Sequence, residues 1–369
     1  MLVEKKHYKL QGFTTSNGQF IPEVEVGWES WGKLNAQRDN AILVTHYFSG
    51  SSHAAGRYQE DDLLAGYWDS IIGSGKPLDT DKYFIISSDT LVNQEPFNPN
   101  VITTGPATNN PATGKPWGLD FPVVTIRDFV EVQRSLLLSL GIETLHTVIG
   151  PSMGSLQALE WSIAYPEAVK RMISVIGMGE ADAWSCLGLQ QWAEPILNDP
   201  LWCNGDYYAS EAPVAGLQQT LMQISLAAMS PAIINRTFKK HYPLEEAPFN
   251  DIHQNFRMVD YFKAQSLAQT KYADANHLLY LIRANQLFIA GQGKTLTEGL
   301  QKIQAKCLFL PATNDLLLRP ALAQKIHQAL LGLGKRSFYA EIEGDWGHLD
   351  GLNSITSQAE TLRQFINQD

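Results

Sequence analysis

Thr147-Val148-Ile149-Gly150-Pro151-Ser152-Met153-Gly154-Ser155-Leu156 is the stretch on which the fold turns. A branched apolar run reaches a serine with glycine two residues away on either side, and a helical pattern follows from about Leu156 to Pro166. Strand, tight turn and helix is the reading, and Met172 to Ile176 supplies the next strand of a βαβ unit. Consecutive strands joined in this way run parallel, so helices cover both faces of the sheet.

The same alternation extends in both directions. Upstream, Ala41 to His46 and Tyr83 to Ser87 read as buried strands, and Val124 to Leu140 as a crossover helix that Gly141 ends. Downstream, Cys307 to Leu310 and Ser337 to Ile342 read as strands, with helices over Pro320 to Leu331 and near Ser354 to Ile366. Between Gly179 and Gly299 the pattern is helical and no strand is convincing. The expectation is one α/β core, residues 1–178 and 301–369, with a helical insertion over 179–300.

A serine hydroxyl becomes a nucleophile only when a base takes its proton and a carboxylate orients that base. The G-x-S-x-G pattern belongs to the nucleophile elbow of the α/β-hydrolase fold, whose chain order is serine, acid, histidine. Asp315 follows the strand Cys307 to Leu310, and His348 follows the last strand; both sit where open α/β sheets build sites. Ser152, Asp315 and His348 are therefore the candidate catalytic residues. The backbone N–H groups of Met153 and of Phe48, in the loop after the strand Ala41 to Thr45, are the candidate oxyanion donors. Asp345 and His327 are weaker rivals for acid and base. His46 and His53 have no metal-ligand pattern beside them, so no metal is expected.

Composition narrows the partners. Lys and Arg total 28 against 38 Asp and Glu, a net charge of −10, which works against nucleic-acid binding. The uncharged tract Ala212 to Asn235 carries three glutamines and Pro231, so it reads as a buried or interfacial helix rather than a membrane span. Within it Leu217, Leu221, Ile224 and Ala228 share one helical face. Three scattered cysteines and no signal-type N-terminal stretch make a soluble cytoplasmic protein with a small-molecule substrate the expectation.

The chain resembles the homoserine O-acetyltransferase family almost end to end. The resemblance is carried by Asn40 to His46, Gly50-Ser51-Ser52-His53-Ala54-Ala55-Gly56, Gly75 to Asp81, Gly114 to Thr125 and Gln157-Ala158-Leu159-Glu160-Trp161. In the insertion Asp199-Pro200, Gly205-Asp206-Tyr207 and Asp274-Ala275-Asn276 add to it. It implies acetyl transfer from acetyl-CoA through an acyl-enzyme on Ser152, no permanently bound cofactor, a helical lid and a homodimer through that lid. It also places Asp315, His348 and Phe48 on the family's acid, base and oxyanion positions.

The departures fall on the acceptor side. Where the family has a lid arginine six residues before an Asp-Pro pair, this chain has Ala193, and no Lys or Arg occurs from Met172 to Asn235. Where the family follows its histidine with aspartate, Leu349 stands here and Asp350 comes one place later. The loop Thr90 to Gln94 also differs from the family's. Tyr207, Arg283 and Asp350 are the candidate substrate-binding residues that remain, and Trp184, Trp192, Trp202, Tyr207 and Tyr208 are candidate pocket aromatics. The alternative to homoserine acetylation is an esterase or thioesterase acting on a small neutral ester.

Overall fold

The computed structural model describes residues 1–238 and 251–368. The centre of its sheet grows from short runs of β-branched and apolar residues that are buried on both sides. In chain order the strands are β1 (Lys6–Thr14), β2 (Phe20–Trp31), β3 (Ala41–Thr45), the two-residue β4 (Ile72–Gly73) and β5 (Leu78–Asp79), β6 (Phe84–Ser88), β7 (Thr147–Pro151), β8 (Arg171–Val175), β9 (Lys306–Leu310) and β10 (Ser337–Tyr339). Eight of them form one sheet in the order β1-β2-β6-β3-β7-β8-β9-β10. From β6 to β10 every pairing is parallel; only the β1–β2 and β2–β6 pairings are antiparallel.

The period of two along each strand divides the core. Leu43, Val148, Met172 and Phe309 join the apolar cluster on one face, and Val44, Ile149, Ile173 and Leu308 join that on the other. The first face is covered by α1 (Ile126–Ser139), α2 (Met153–Ala164) and α9 (Pro320–Gly332), the second by Trp68 and α10 (Ala359–Asn367). Helix α1 buries Ile126, Phe129, Val130, Leu136 and Leu137. Asp128 Oδ2 accepts the Thr125 N–H at 2.7 Å at its N-terminus, and the other oxygen accepts Ser16 N–H at 2.6 Å, tying the β1–β2 hairpin down.

Between β8 and β9 the described residues make α3 (Ala183–Leu197), α4 (Val214–Ala228), α5 (Pro231–Thr237), α6 (Arg257–Gln269), α7 (Ala275–Gln286) and α8 (Leu296–Leu300), with no strand of the sheet; residues 239–250 of this stretch lie outside the described residues. The uncharged tract is two helices, broken where Ser230 caps α5 ahead of Pro231. Among the described residues no helix is long and apolar enough to cross a membrane.

Three details depart from the sequence reading. The antiparallel β1 and β2 have no counterpart in it. Helix α2 starts at Met153 rather than near Leu156, directly after the serine. The last strand stops at Tyr339, because β10 pairs only with β9, over Ser337 to Tyr339, and the chain returns to a single bridge at Ile342.

Candidate active site

Ser152 sits where β7 ends and α2 begins, at φ 54° and ψ −122°, a conformation that costs a non-glycine residue about 1–3 kcal/mol. The surrounding backbone holds it there. Ser152 N–H donates to Val175 O at 2.9 Å, and Thr45 Oγ1 donates to Gly154 O at 2.7 Å. The flanking glycines are required by this approach: a Cβ on Gly150 would lie 2.1 Å from Thr45 Oγ1, and one on Gly154 2.1 Å from Thr45 O.

The three residues that the sequence analysis singled out from separate strand ends meet at one point. His348 Nε2 lies 2.8 Å from Ser152 Oγ, and His348 Nδ1 lies 2.6 Å from Asp315 Oδ2. All three side chains are nearly dry, at 9%, 6% and 2% exposure for Ser152, His348 and Asp315. Asp315 is also a turn cap, its Oδ1 accepting the N–H groups of Leu317 at 2.8 Å and Leu318 at 2.9 Å. Those bonds fix the carboxylate so that its free oxygen faces the imidazole. With Nδ1–H donated to Asp315, Nε2 is a base directed at the serine hydroxyl.

Loop 46–53 lies over the start of α2. Among the described residues neither Phe48 N–H nor Met153 N–H has a hydrogen-bond acceptor, while the rest of the loop is tightly pinned. Asn93 Nδ2 donates to Gly50 O at 2.8 Å, Gln157 Nε2 to His46 O at 3.2 Å, and Ser52 N–H to Asp89 Oδ1 at 2.7 Å. Beneath it Glu29 is fully buried, with Lys5 Nζ at 2.9 Å, Tyr58 Oη at 2.7 Å and His53 Nδ1 at 3.0 Å. Burial would raise the Glu29 carboxyl, but the His53, Lys5 and Tyr58 contacts outweigh it and keep it below its usual range. Sequence reasoning missed Asn93, Asp89 and Glu29 as supports of the site. Asp89 carried a usable signal, since it follows directly on β6 at the same sheet edge as the other site residues.

A cavity of about 320 Å³ opens over Ser152 and His348. Its walls are Trp184, Leu189 and Trp192 from α3, Ile224 and Ala228 from α4, and Phe48, Leu317 and Leu349 from the core side. No Asp, Glu, Lys or Arg among the described residues lines it. The α4 face read from the sequence is thus split, with Leu217 and Leu221 buried in the core and Ile224 and Ala228 facing the cavity.

The candidate substrate-binding residues lie elsewhere. The Tyr207 hydroxyl donates to Asp274 Oδ2 at 2.6 Å and Tyr208 to Asp274 Oδ1 at 3.1 Å, a buried knot that fastens the loop before α4 to α7. Burial, then the Asp274 charge, pushes the Tyr207 hydroxyl far above its ordinary range, so it serves as a donor. Arg283 is exposed on α7 and does not line the cavity. Asp350 is fully buried and faces its own loop, accepting Trp346 N–H at 3.1 Å, Gly347 N–H at 3.0 Å and the Ser354 hydroxyl at 2.5 Å. It shapes the turn that presents His348. Ala193 is buried among apolar neighbours, and Trp202 donates to Asn276 Oδ1 at 2.8 Å.

Comparison with known proteins agrees with the geometry. Residues 64–352 match the family model of the alpha/beta hydrolase fold. A homoserine O-acetyltransferase of Deferribacter desulfuricans is 36% identical, over 100% of this chain and 96% of that protein. Among solved structures, esterase E22 is 52% identical at a TM-score of 0.97, covering 99% of this chain and 100% of that one. The homoserine O-acetyltransferase of Bacillus anthracis is 34% identical at a TM-score of 0.96, covering 100% and 99%. Elbow, fold and near full-length similarity lead to one conclusion: the chain belongs to the homoserine O-acetyltransferase family of alpha/beta-hydrolase-fold enzymes, and it is an acyl-transferring enzyme.

Proposed function

We propose that the enzyme cleaves small uncharged esters through an acyl-enzyme on Ser152, with water taking the acyl group, and that residues 179–300 act as the lid over this site. His348 Nε2 takes the Ser152 proton as Oγ attacks the ester carbonyl, and Asp315 keeps the imidazole in the required tautomer. The N–H groups of Phe48 and Met153, with the N-terminus of α2, receive the developing oxyanion. His348 then protonates the leaving alcohol, and water repeats the sequence against the acyl-serine.

The observation that carries this choice of substrate is the uncharged cavity. Homoserine brings an ammonium and a carboxylate, and leaving either unpaired in a largely dry pocket costs several kcal/mol. An ester without charge meets no such penalty among the Trp, Leu and Ile side chains that line the walls. The 52% identity to esterase E22 supports the same reading. Homoserine acetylation from acetyl-CoA is the second reading, favoured by the names of the relatives at 36% and 34% identity.

Acyl partition separates the two. With p-nitrophenyl acetate the wild type releases p-nitrophenol, and Ser152→Ala lowers kcat by at least about 10³-fold. Added homoserine neither accelerates CoA release from acetyl-CoA nor becomes O-acetylated. Acetylated homoserine in quantity would overturn the acceptor assignment, and a Ser152→Ala variant of undiminished activity would overturn the site.

A further inference from the structure

We infer that the acyl-enzyme also transfers its acyl group to apolar primary alcohols dissolved in water, so that the protein is an ester-forming acyltransferase as well as a hydrolase. The inference rests on the acyl-enzyme reading above and adds the class of a second acceptor. Two features carry it: how little the cavity offers a water molecule, and how much it offers a hydrocarbon chain.

A water held ready for attack needs two to four polar partners. Apart from Ser152 and His348, the polar side-chain groups of the lining are the hydroxyls of Tyr47, Ser49 and Ser185, the amide of Asn285 and the indole N–H groups of Trp184 and Trp192, and of these the Ser185 hydroxyl is already given to Asp182 Oδ1 at 2.8 Å and Asn285 Nδ2 to Leu281 O at 2.8 Å. The apolar surface continues outward from the serine to the mouth. Trp184, Leu226 and Leu316 line the cavity while remaining 67%, 59% and 60% exposed. An alkyl chain lying from Ser152 to this rim removes its own surface and theirs from water. At about 320 Å³ the cavity is at the lower end of the roughly 300–1,000 Å³ typical of ligand pockets. That is far more than an acetyl group needs, and a chain of several carbons has room beside it.

The chemistry balances without a further reactant. The alcohol oxygen attacks the acyl-serine carbonyl while His348 Nε2 takes its proton. The tetrahedral intermediate collapses by breaking the bond from carbonyl carbon to Ser152 Oγ, and His348 returns the proton to that oxygen. The products are a new ester and the free serine.

The test is a product ratio in water with p-nitrophenyl acetate as donor and ethanol, butanol and hexanol as acceptors, the alkyl acetate and free acetate being measured by gas chromatography. Normalised to alcohol concentration, the transfer-to-hydrolysis ratio is expected to rise about fourfold for each methylene, the factor that burial of one CH₂ supplies. Leu226→Ser at the rim should flatten this rise. A ratio that does not change with chain length, or free acetate alone at every alcohol, overturns the inference. Release of p-nitrophenol without any alcohol reads the acyl-enzyme step separately, so its absence counts against the hydrolase reading instead.

Discussion

At the scale of single residues the site depends on a few atoms brought closer than ordinary side chains allow. Ser152 occupies a left-handed backbone conformation, and the two glycines beside it let the end of β3 approach the elbow. Gly154→Ala would place a methyl group 2.1 Å from Thr45 O, a backbone atom that cannot rotate away. The expected outcome is a loss of roughly 1–3 kcal/mol in urea unfolding, together with a fall in kcat as the serine shifts. A variant with wild-type stability and rate would show that the elbow has slack the structure does not contain. The residue pattern made the proposed triad of Ser152, Asp315 and His348 legible as three residues that meet in space, because chemistry restricts which side chains can form such a group and the chain order restricts where. The substrate-binding candidates were not legible in the same way. Tyr207 and Asp350 are polar residues whose partners turn out to be protein groups, Asp274 in one case and the 346–347 backbone in the other. Sequence alone does not reveal which way a buried polar side chain faces.

At the scale of elements, the strands nearest the sheet centre were legible since both faces are buried and the runs are continuously apolar. Strands β1 and β2 were not. They alternate charged and apolar residues, with Lys9 bridging Glu23 at 2.7 Å across the exposed face, and such short alternations look like surface loops until a partner strand is known. The loop after β6 was visible as a departure from the family, but its task emerges only in three dimensions. Asn93 reaches across to Gly50 O and so holds the loop that presents Phe48 N–H. If Phe48 N–H receives the oxyanion as proposed, Asn93→Ala should lower kcat for p-nitrophenyl acetate by about 10- to 100-fold with KM little changed, because displacing that donor weakens the transition state more than the bound ester. A lower Tm with an unaltered kcat would instead make Asn93 a support of the fold alone.

At the scale of the whole molecule, the insertion and the core are joined by contacts that also set the response to acid. The junction of α4 and α5 is fastened to the histidine loop, Ser230 N–H donating to Trp346 O at 3.2 Å. On the far side His277 of α7 is buried, accepting Ala107 N–H at 3.1 Å with Nε2 and donating from Nδ1 to Asn93 O at 2.8 Å. A second proton would point at Ala107 N–H, and burial, the largest cause, lowers the His277 pKa below its usual 6.5; burial lowers His46 likewise. The unfolded chain therefore takes up protons that the folded one refuses. Stability is full above about pH 7.5 and falls as pH drops below about 6.5, by at most about 1.4 kcal/mol per unit for each histidine. The depressed Glu29 acts in the same direction only below the normal carboxylate range, and Glu160, raised by burial against the pull of Arg127, acts oppositely. Tm should decline between pH 7.5 and 5.5, and His277→Gln, which keeps a donor and an acceptor, should decline less steeply. Equal slopes would remove His277 from the account. The sequence by itself determined the α/β alternation, the turn at Ser152 and the three side chains that meet there, since periodicity and the spacing of such residues after strand ends are local or nearly so. Only the tertiary structure decided the character of the pocket. Whether a side chain from the insertion lines a cavity or fills the core depends on how α3 and α4 pack across residues far away in the chain, and that packing turned Trp184, Leu189, Trp192, Ile224 and Ala228 toward Ser152 while it buried Ala193 in the core.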